Sequence, residues 1–268
     1  MKKKSIDVRD ADTLNKILAG KYIKPVYQPV VSLTDGEVFG YEALSRISDN
    51  NLEIGIEHMF KVADKINRAW ELEALCRKKA LKGSVNMAAD KKLFLNVNPN
   101  VIHDKEFKNG FTKKRLEKHD LGYLNVVFEI SERVAVIDHS VFLSAVKHYK
   151  EQNYGIAIDD VGSGYSGLNV ISDVKPNIIK LDIHLVHDVD KDEIKRLLCK
   201  ALADFCKSAG ILLIAEGIET ERELETLISL NVDFGQGYFL GHPTESFMDI
   251  VPEKIEMIRR YNTNKCQR

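Results

Sequence analysis

The sequence predicts an α/β fold, a TIM-like (β/α)8 barrel in which the first two strands are antiparallel. Short apolar runs alternate with longer segments of helical periodicity, which is the pattern of repeated β/α units. The length of 268 residues is also close to the roughly 250 residues of an eight-stranded barrel. After the first strand, the runs interpreted as strands are Val38–Ala43, Leu93–Val97, Val126–Ile130, Gly155–Ile158, Ile178–Leu181, Ile211–Ala215 and Val232–Phe239.

The start of the barrel is predicted to be a hairpin. An Asp-Gly pair at residues 35 and 36 separates Tyr27–Leu33 from the next apolar run, and such a pair is a strong hairpin signal. Pro29 agrees, since proline lacks the hydrogen-bond donor that a central strand needs. If the chain turns there, Gln28 lies opposite Glu42 and both side chains reach the same rim of the barrel.

Helical periodicity fills the intervals between the strands. The predicted helices are Glu57–Leu81, Val141–Lys150, Ile194–Ala209 and one that extends to Leu230. Gly210 is suited to end the third helix, and residues 220–223 form a capping box that opens the fourth. The chain is therefore predicted to divide into a short helical segment at residues 1–19, the barrel at 20–255 and a basic tail at 256–268.

Composition excludes several classes of function. The formal net charge of −1 argues against a bulk electrostatic grip on DNA, RNA or an anionic membrane. No apolar run approaches the ~20 residues that span a bilayer, so no membrane insertion is expected. Cys76, Cys199, Cys206 and Cys266 lack C-x-x-C spacing, and we interpret them as reduced thiols of a cytoplasmic protein.

A polar residue stands at the far end of each apolar run. In a β/α barrel the carboxyl ends of the strands form the rim at which active sites lie, so these residues are one candidate site. Their oxygens suit magnesium, manganese or calcium, and they suffice for two ions that promote phosphodiester hydrolysis. The one lysine among them is suited to orient water or to stabilise charge on a phosphate. The residues are Glu42, Asn96, Glu129, Asp159, Asp160, Lys180, Glu216 and Gln236.

The sequence alone leaves other interpretations of single residues open. A strand-end acid taken alone is more often a turn residue or a helix cap than a ligand. Residues 162–167 match the G-x-G-x-x-G of nicotinamide or flavin sites, but Asp159 and Asp160 stand where they would repel a pyrophosphate. His184 and His187 have the spacing of a metal pair, but without a third soft ligand nearby we interpret them as surface residues.

Eight short motifs follow one another along the chain. They are Tyr27-Gln28-Pro29, Glu42-Ala43-Leu44-Ser45-Arg46, Asn96-Val97-Asn98-Pro99, Phe128-Glu129-Ile130-Ser131-Glu132, Asp159-Asp160-Val161-Gly162-Ser163-Gly164-Tyr165-Ser166, Ile179-Lys180-Leu181-Asp182, Ala215-Glu216-Gly217-Ile218-Glu219 and Gln236-Gly237-Tyr238. In this order they resemble the EAL-domain phosphodiesterases that are specific for cyclic di-GMP. The three letters E-A-L alone would mean little, whereas the ordered set, which covers about residues 20–255, is specific.

The resemblance implies a role for each position, with two Mg²⁺ or Mn²⁺ ions as cofactors. The implied metal ligands are Glu42, Asn96, Glu129 and Asp159 for the first ion, with Asp160 and Glu216 at or near the second. The implied catalytic residues are Glu42, Lys180, Glu216 and Glu219, of which the lysine holds the water. The implied substrate contacts are Gln28, Leu44, Arg46, Asp182, Gln236 and Pro243. Glu132 is implied to stabilise the glycine-rich loop.

The implied reaction is the opening of cyclic di-GMP to linear pGpG by attack of metal-bound water, in a protein expected to be a homodimer. The alternative is a catalytically silent receptor for cyclic di-GMP, but such proteins usually lose metal ligands that are all present here. A scaffold that uses the barrel to bind partners is a third possibility, for which the sequence offers no feature. The chain departs mildly from the family at Val161, Ser163 and His242, where phenylalanine, threonine and a basic residue are common.

Overall fold

The computed structural model describes residues 8–52, 54–119, 122, 125–133, 138–163 and 167–265. The strands close into a barrel in the order β1 to β8, with helices packed outside it. The predicted (β/α)8 fold is therefore confirmed. The strands are β1 (Ile23–Ser32), β2 (Val38–Ile47), β3 (Lys92–Asn96), β4 (Val126–Ser131), β5 (Gly155–Val161), β6 (Ile178–Leu181), β7 (Leu212–Ala215) and β8 (Phe234–Gly235).

The first two strands form the predicted antiparallel hairpin. Gln28 of β1 lies directly opposite Glu42 of β2. Gly36 in the turn has a φ of 82°, a left-handed conformation that glycine adopts without steric cost. β1 also pairs antiparallel with β8, whereas the other neighbouring strands run parallel. The hairpin thus places Gln28 at the carboxyl rim of the parallel strands.

The helices surround the strands, and two predicted helix ends are confirmed. Gly210 ends α8 in the left-handed region, with a φ of 69°, and Thr220 and Glu223 form the reciprocal capping box of α9. The helices are α1 (Val8–Gly20), α2 (Ile56–Lys65), α3 (Ala69–Gly83), α4 (Phe111–His119), α5 (His139–Lys150), α6 (Gly167–Val174), α7 (Ile183–Val186), α8 (Glu193–Ala209), α9 (Glu221–Ser229) and α10 (Pro252–Lys265).

The prediction of one long helix over Glu57–Leu81 was wrong, because this segment forms both α2 and α3. Between them Asn67 adopts a left-handed backbone with a φ of 56°. Asparagine tolerates this conformation better than most residues, so the chain changes direction there. The apolar periodicity continues on both sides of the break, and the pattern alone therefore did not reveal it. The last strand, β8, is also shorter than the predicted run Val232–Phe239.

The C-terminal part of the chain packs on the barrel as a helix. α10 crosses the predicted boundary at residue 255, and its Ile258 is fully buried. Asn262 Nδ2 donates a hydrogen bond to the carbonyl oxygen of Leu33, at 2.8 Å. Residues 256–265 thus belong to the packed domain rather than to a separate basic tail. Residues 266–268, and residues 1–7 of the predicted N-terminal segment, lie outside the described part.

An apolar layer fills the inside of the barrel beneath the rim. Its members on the strands lie two positions from a rim residue, and since strand side chains alternate, both project inward. On β3, for example, Phe94 precedes Asn96, and on β6 Ile178 precedes Lys180. The rim side chains therefore lie on an apolar floor. The layer consists of Val30, Phe94, Val127, Ala157, Ile178 and Ile214, with Phe39 and Phe234 packed against it.

Two predictions from composition can be compared with the described residues. No helix among them combines the length and the apolar character that crossing a membrane requires. Cys76, Cys199 and Cys206 are buried free thiols. Burial raises the pKa of Cys76 to about 12 and that of the other two thiols to about 11. Cys266 lies outside the described residues.

A buried ion pair joins α3 to its neighbouring helices. Arg77 and Glu73, one turn apart on α3, are in direct contact and almost fully buried. Arg77 also donates hydrogen bonds to the hydroxyl groups of Thr112 and Tyr149, each at 3.2 Å, and lies 5.0 Å from the ring centroid of Phe128. Because a guanidinium group keeps its proton, the buried side chain of Arg77 carries a full positive charge.

Replacing Arg77 with alanine is expected to lower the free energy of unfolding by about 3–5 kcal/mol, because Glu73 then stays buried without its cation. The control is Lys200→Ala, which removes an exposed ion pair with Asp204 and is expected to cost about 1 kcal/mol or less. Urea denaturation measures both values. Equal losses in the two variants would contradict the role of the buried pair.

Candidate active site

Four carboxyl groups, on β2, β4 and β5 and directly after β7, surround the ammonium group of Lys180. This lysine on β6 is only 1% exposed. Its Nζ lies 2.6 Å from Oε1 of Glu129 and 2.6 Å from Oε1 of Glu216. It lies 3.3 Å from Oε2 of Glu42 and 3.7 Å from Oδ1 of Asp159. The fold thus brings together five of the charged residues that the sequence placed at separate strand ends.

The crowding of carboxylates changes their pKa values. Burial, with neighbouring carboxylates acting in the same direction, raises the pKa of Glu129 and Glu216 well above the ordinary range. Burial likewise raises the pKa of Asp159. Burial also acts to raise the pKa of Glu42, but Lys180 and hydrogen bonds outweigh it and the pKa is lowered. Burial alone would lower the pKa of Lys180, yet the carboxylates raise it well above its usual value, so the ammonium stays charged.

Amide side chains fix the orientation of Glu42. Asn96 Nδ2 donates to Oε1 of Glu42 at 2.7 Å, and Gln236 Nε2 donates to Oε2 at 2.8 Å. Gln236 Nε2 also donates to Oε1 of Gln28 at 3.1 Å. Gln28 Nε2 in turn donates to the carbonyl oxygen of Gly241, at 3.1 Å. This series of hydrogen bonds connects β1, β2 and β3 with the loop after β8.

Asp159, Asp160 and Glu216 form a group of oxygens beside this network. One carboxylate oxygen of each lies within 4.8 Å of the others. Asp160 has a φ of 62°, and this left-handed backbone lets two consecutive side chains of β5 reach the same rim. Ser131 Oγ donates to Oδ2 of Asp160 at 2.8 Å, and Nε of Arg133 lies 3.6 Å from the same oxygen.

A cavity of about 380 Å³ opens beside the carboxylates. Acidic and amide side chains form part of its wall, and Leu44, Ile183 and Tyr238 add apolar and aromatic surface. The cavity therefore has an acidic, polar part and an apolar part. The predicted catalytic and substrate-binding residues that line it are Gln28, Glu42, Leu44, Glu216, Glu219 and Gln236.

Other predicted residues do not line this cavity. Arg46 is exposed, lines a neighbouring cavity of about 320 Å³ and donates to the carbonyl oxygen of Ser45 at 2.9 Å. The carboxylate of Asp182 accepts a hydrogen bond from the backbone N–H of His184 at 2.8 Å, and so caps α7. Pro243 is half-buried in the loop after β8. The contacts of these residues with substrate stay predictions.

The glycine-rich loop is only partly described. Glu132 is fully buried at the end of β4, but residues 164–166 of the loop that it is predicted to stabilise lie outside the described residues. The G-x-G-x-x-G match at residues 162–167 extends over the same gap. The two histidines after β6 are exposed, as predicted. The ring of His187 lies 3.3 Å from Asp188 and 3.5 Å from Glu223.

Three residues of the site have no role in the sequence-based hypothesis. Ser131 follows Glu129 by two positions on β4, so the alternation of the strand predicts that it too faces the inside of the barrel. Tyr238 lies within one of the ordered motifs, but its position on the cavity wall depends on the tertiary structure. Nothing in the sequence distinguishes Ile183 from a residue of the hydrophobic core.

The donor set of the site fits divalent cations. Oε2 of Glu129 is buried and accepts no hydrogen bond from any residue that the structure describes. A cation satisfies such a carboxylate oxygen, and the carboxylate and amide oxygens at the rim are ligands that Mg²⁺ and Mn²⁺ prefer. Four carboxyl groups share the single ammonium group of Lys180, and divalent cations would balance the negative charge of their deprotonated forms.

Comparison with known proteins identifies the family. The sequence model of the EAL domain matches residues 11–243, which is most of the chain. The chain belongs to the EAL domain family. This EAL domain is also similar to a standalone EAL protein from Vibrio cholerae O395, whose crystal structure contains bound c-di-GMP. The two share 30% identity with a TM-score of 0.73, over 86% of this chain and 96% of the other.

Two curated relatives are longer than this EAL domain. Cyclic di-GMP phosphodiesterase PdeA of Borreliella burgdorferi is 25% identical, over 86% of this chain and 35% of the relative. The probable cyclic di-GMP phosphodiesterase PdeG of Escherichia coli is 26% identical, over 90% of this chain and 48% of the relative. The chain therefore spans about a third to a half of the length of these proteins.

Replacing Lys180 with methionine is expected to lower the free energy of unfolding by about 3 kcal/mol or more in the presence of a chelator. The substitution keeps the length of the side chain but removes the ammonium group that contacts the buried carboxyl groups. Chemical denaturation at neutral pH in EDTA measures the loss. Lys191→Met, at an exposed ion pair with Asp188, serves as the control and is expected to have little effect. An unchanged stability of Lys180→Met would show that the carboxylates do not depend on this ammonium group.

Proposed function

We propose that this EAL domain hydrolyses cyclic di-GMP to linear pGpG. The observation that carries the proposal is the convergence of four carboxylates and Lys180 beside a cavity with polar and apolar walls. A cyclic dinucleotide has both kinds of surface, since its phosphodiester groups are anionic and its bases have flat apolar faces. The relatives that are named as cyclic di-GMP phosphodiesterases, and the Vibrio cholerae complex with c-di-GMP, support this substrate.

Two Mg²⁺ or Mn²⁺ ions are the proposed cofactors. Glu42, Asn96, Glu129 and Asp159 would hold the first ion, and Asp160 and Glu216 the second. Asn96 directs its Nδ2 to Glu42, which leaves its amide oxygen available to a cation. The oxygens of Asp159, Asp160 and Glu216 already lie within 4.8 Å of one another, which suits Asp159 to contact both ions. When bound, the ions would supply the positive charge that activates water and neutralises the phosphodiester.

The side chains of the domain itself would position the substrate. Asn96 and Gln236 hold the Glu42 carboxylate in one orientation, which keeps the reacting groups aligned without further rearrangement. Lys180 would donate a proton of its ammonium group to water or to a phosphate oxygen in a hydrogen bond. Gln28 and Leu44 would contact the nucleotide in the cavity, and Glu219 at its edge would support it.

A second copy of the chain is the proposed partner. Ile194, Leu197, Leu198 and Phe205 recur at helical spacing along α8 and are between 43% and 65% exposed. A row of large apolar side chains on one helix face is unusual for a surface that stays in water. In a two-fold dimer the apolar patch of each copy packs against the same patch of the other copy. A single helix face therefore forms both sides of the interface. The buried free thiols support the proposal that the dimer acts in the reducing cytoplasm.

Incubation of the purified domain with cyclic di-GMP and Mn²⁺ or Mg²⁺ is expected to yield pGpG, which chromatography measures. Glu42→Gln is expected to lower kcat by about a hundredfold or more, the size of effect seen when one stabilising group is lost from an active site. Glu256→Gln, at an exposed position on α10, is the matched control. Tight binding of cyclic di-GMP by the wild type without product at any metal concentration would replace the enzyme with the silent receptor.

Leu197→Glu is expected to convert the dimer to a monomer, because it places a charge in the centre of the apolar face of α8. Light scattering after size-exclusion chromatography measures the molar mass. Met248→Glu introduces the same charge at another exposed apolar residue, in the loop before α10, and is expected to leave the dimer intact. A wild-type protein that is monomeric at high micromolar concentration would rule out the proposed assembly.

A further inference from the structure

Tyr238 presents an aromatic ring to the cavity beside the carboxylates. The side chain is 56% exposed, although it follows directly on the buried segment that carries Gln236. Single exposed aromatic residues are common, so exposure alone carries no conclusion. Here, however, the residue lines the same cavity as Glu42 and Glu216, on the wall that also contains Leu44. An aromatic surface therefore stands within the space that the ligand of this site would occupy.

The ring of His242 stacks on the ring of Tyr238. The two centroids lie 4.5 Å apart and the planes differ by 28°, which is a stacked arrangement. Of these two residues only Tyr238 lines the cavity. His242 thus covers one part of the tyrosine ring and leaves the cavity side uncovered. The stack restricts the tyrosine, so a ligand that lies on it would lose less side-chain freedom on binding.

The backbone beneath this aromatic pair is fixed. A Cβ atom at Gly237 would lie 2.2 Å from the backbone of Ile218, so the chain makes a close approach there that requires glycine. Ile218 N donates to the carbonyl oxygen of Gln236 at 3.1 Å, and Phe239 N donates to that of Ile218 at 3.0 Å. These bonds hold both sides of Tyr238. The pair is therefore part of a rigid loop rather than of a free surface segment.

The same loop is tied to the carboxylate site. Gln28 Nε2 donates to the carbonyl oxygen of Gly241, the residue before His242. Gln28 also accepts a hydrogen bond from Gln236, which orients Glu42. The aromatic pair and the reacting groups are thus held in a fixed relation by one set of hydrogen bonds. A ligand that spans both needs a flat ring and, a short distance away, an anionic group that cations held by the carboxylates would bind.

We propose that Tyr238 and His242 form a stacking subsite for one purine base of the ligand, with Tyr238 in contact with the base and His242 as a positioning residue behind it. This inference rests on the proposed function, because it assigns the base to a cyclic dinucleotide. Stacking of a base on an aromatic side chain tolerates any base but is lost when the ring is removed. The subsite thus contributes affinity, and the carboxylates act on the phosphodiester.

Calorimetric titration of the full chain with cyclic di-GMP in CaCl₂ tests the subsite, with chromatography to confirm that the nucleotide stays intact. Tyr238→Leu is expected to weaken binding by roughly 5- to 100-fold, and Tyr238→Phe to leave it nearly unchanged, because only the first removes the ring. His242→Ala is expected to weaken binding by a smaller factor, and His242→Phe to restore it. Tyr22→Leu, at another exposed tyrosine, is the matched control and is expected to bind as the wild type does.

A separate titration with Mn²⁺ alone is expected to give the same affinity for the wild type and all variants, since both rings are proposed to act on the base and not on the metal ligands. Equal binding of cyclic di-GMP by the wild type and Tyr238→Leu would overturn the subsite and leave the proposed function in place. Failure of the wild type to bind cyclic di-GMP would overturn the proposed function itself. Loss of Mn²⁺ affinity in Tyr238→Leu would overturn the subsite too, because the substitution would then act through the carboxylates.

Discussion

The balance of charge around Lys180 is the constraint on which the rest of the site depends. One ammonium group, removed from water, is in contact with carboxylates from β2, β4, β5 and β7. Its proton is held by these carboxylates, and their own pKa values are raised by burial and by one another except at Glu42. Carboxylate oxygens are ligands that divalent cations prefer, so the same side chains that hold the lysine would hold the proposed metal ions.

The barrel makes this concentration of charge possible. Because side chains alternate along a strand, each inward apolar residue of the interior layer has a polar residue two positions away at the rim. The parallel strands end at one face, and the antiparallel hairpin adds Gln28 to it. The buried layer stabilises the barrel through the hydrophobic effect. The domain thus tolerates a cluster of like charges at the rim because the stability comes from the layer beneath it.

The site has two parts, which match the two kinds of surface of the proposed cyclic dinucleotide. Carboxylates and amides converge where a phosphodiester would lie, and Leu44, Ile183 and Tyr238 supply the apolar wall of the cavity. Gln28 belongs to both parts, since it contacts Gln236 on one side and the loop of Gly241 on the other. One network of hydrogen bonds therefore connects the carboxylates with the loop that carries the proposed stacking subsite.

The sequence by itself determined the barrel, the pairing of Gln28 with Glu42 and most of the residues near the strand ends, because these follow from periodicity and from the chemistry of an Asp-Gly turn. Glu42 is an exception, since β2 continues past it to Ile47. The sequence did not reveal the break at Asn67, since an apolar pattern continues through a change of direction. Only the tertiary structure decided that Lys180 lies among the carboxylates, that Asp182 caps a helix and that Tyr238 lines the cavity. Contacts between distant strands depend on how the barrel closes, and no local pattern contains that information.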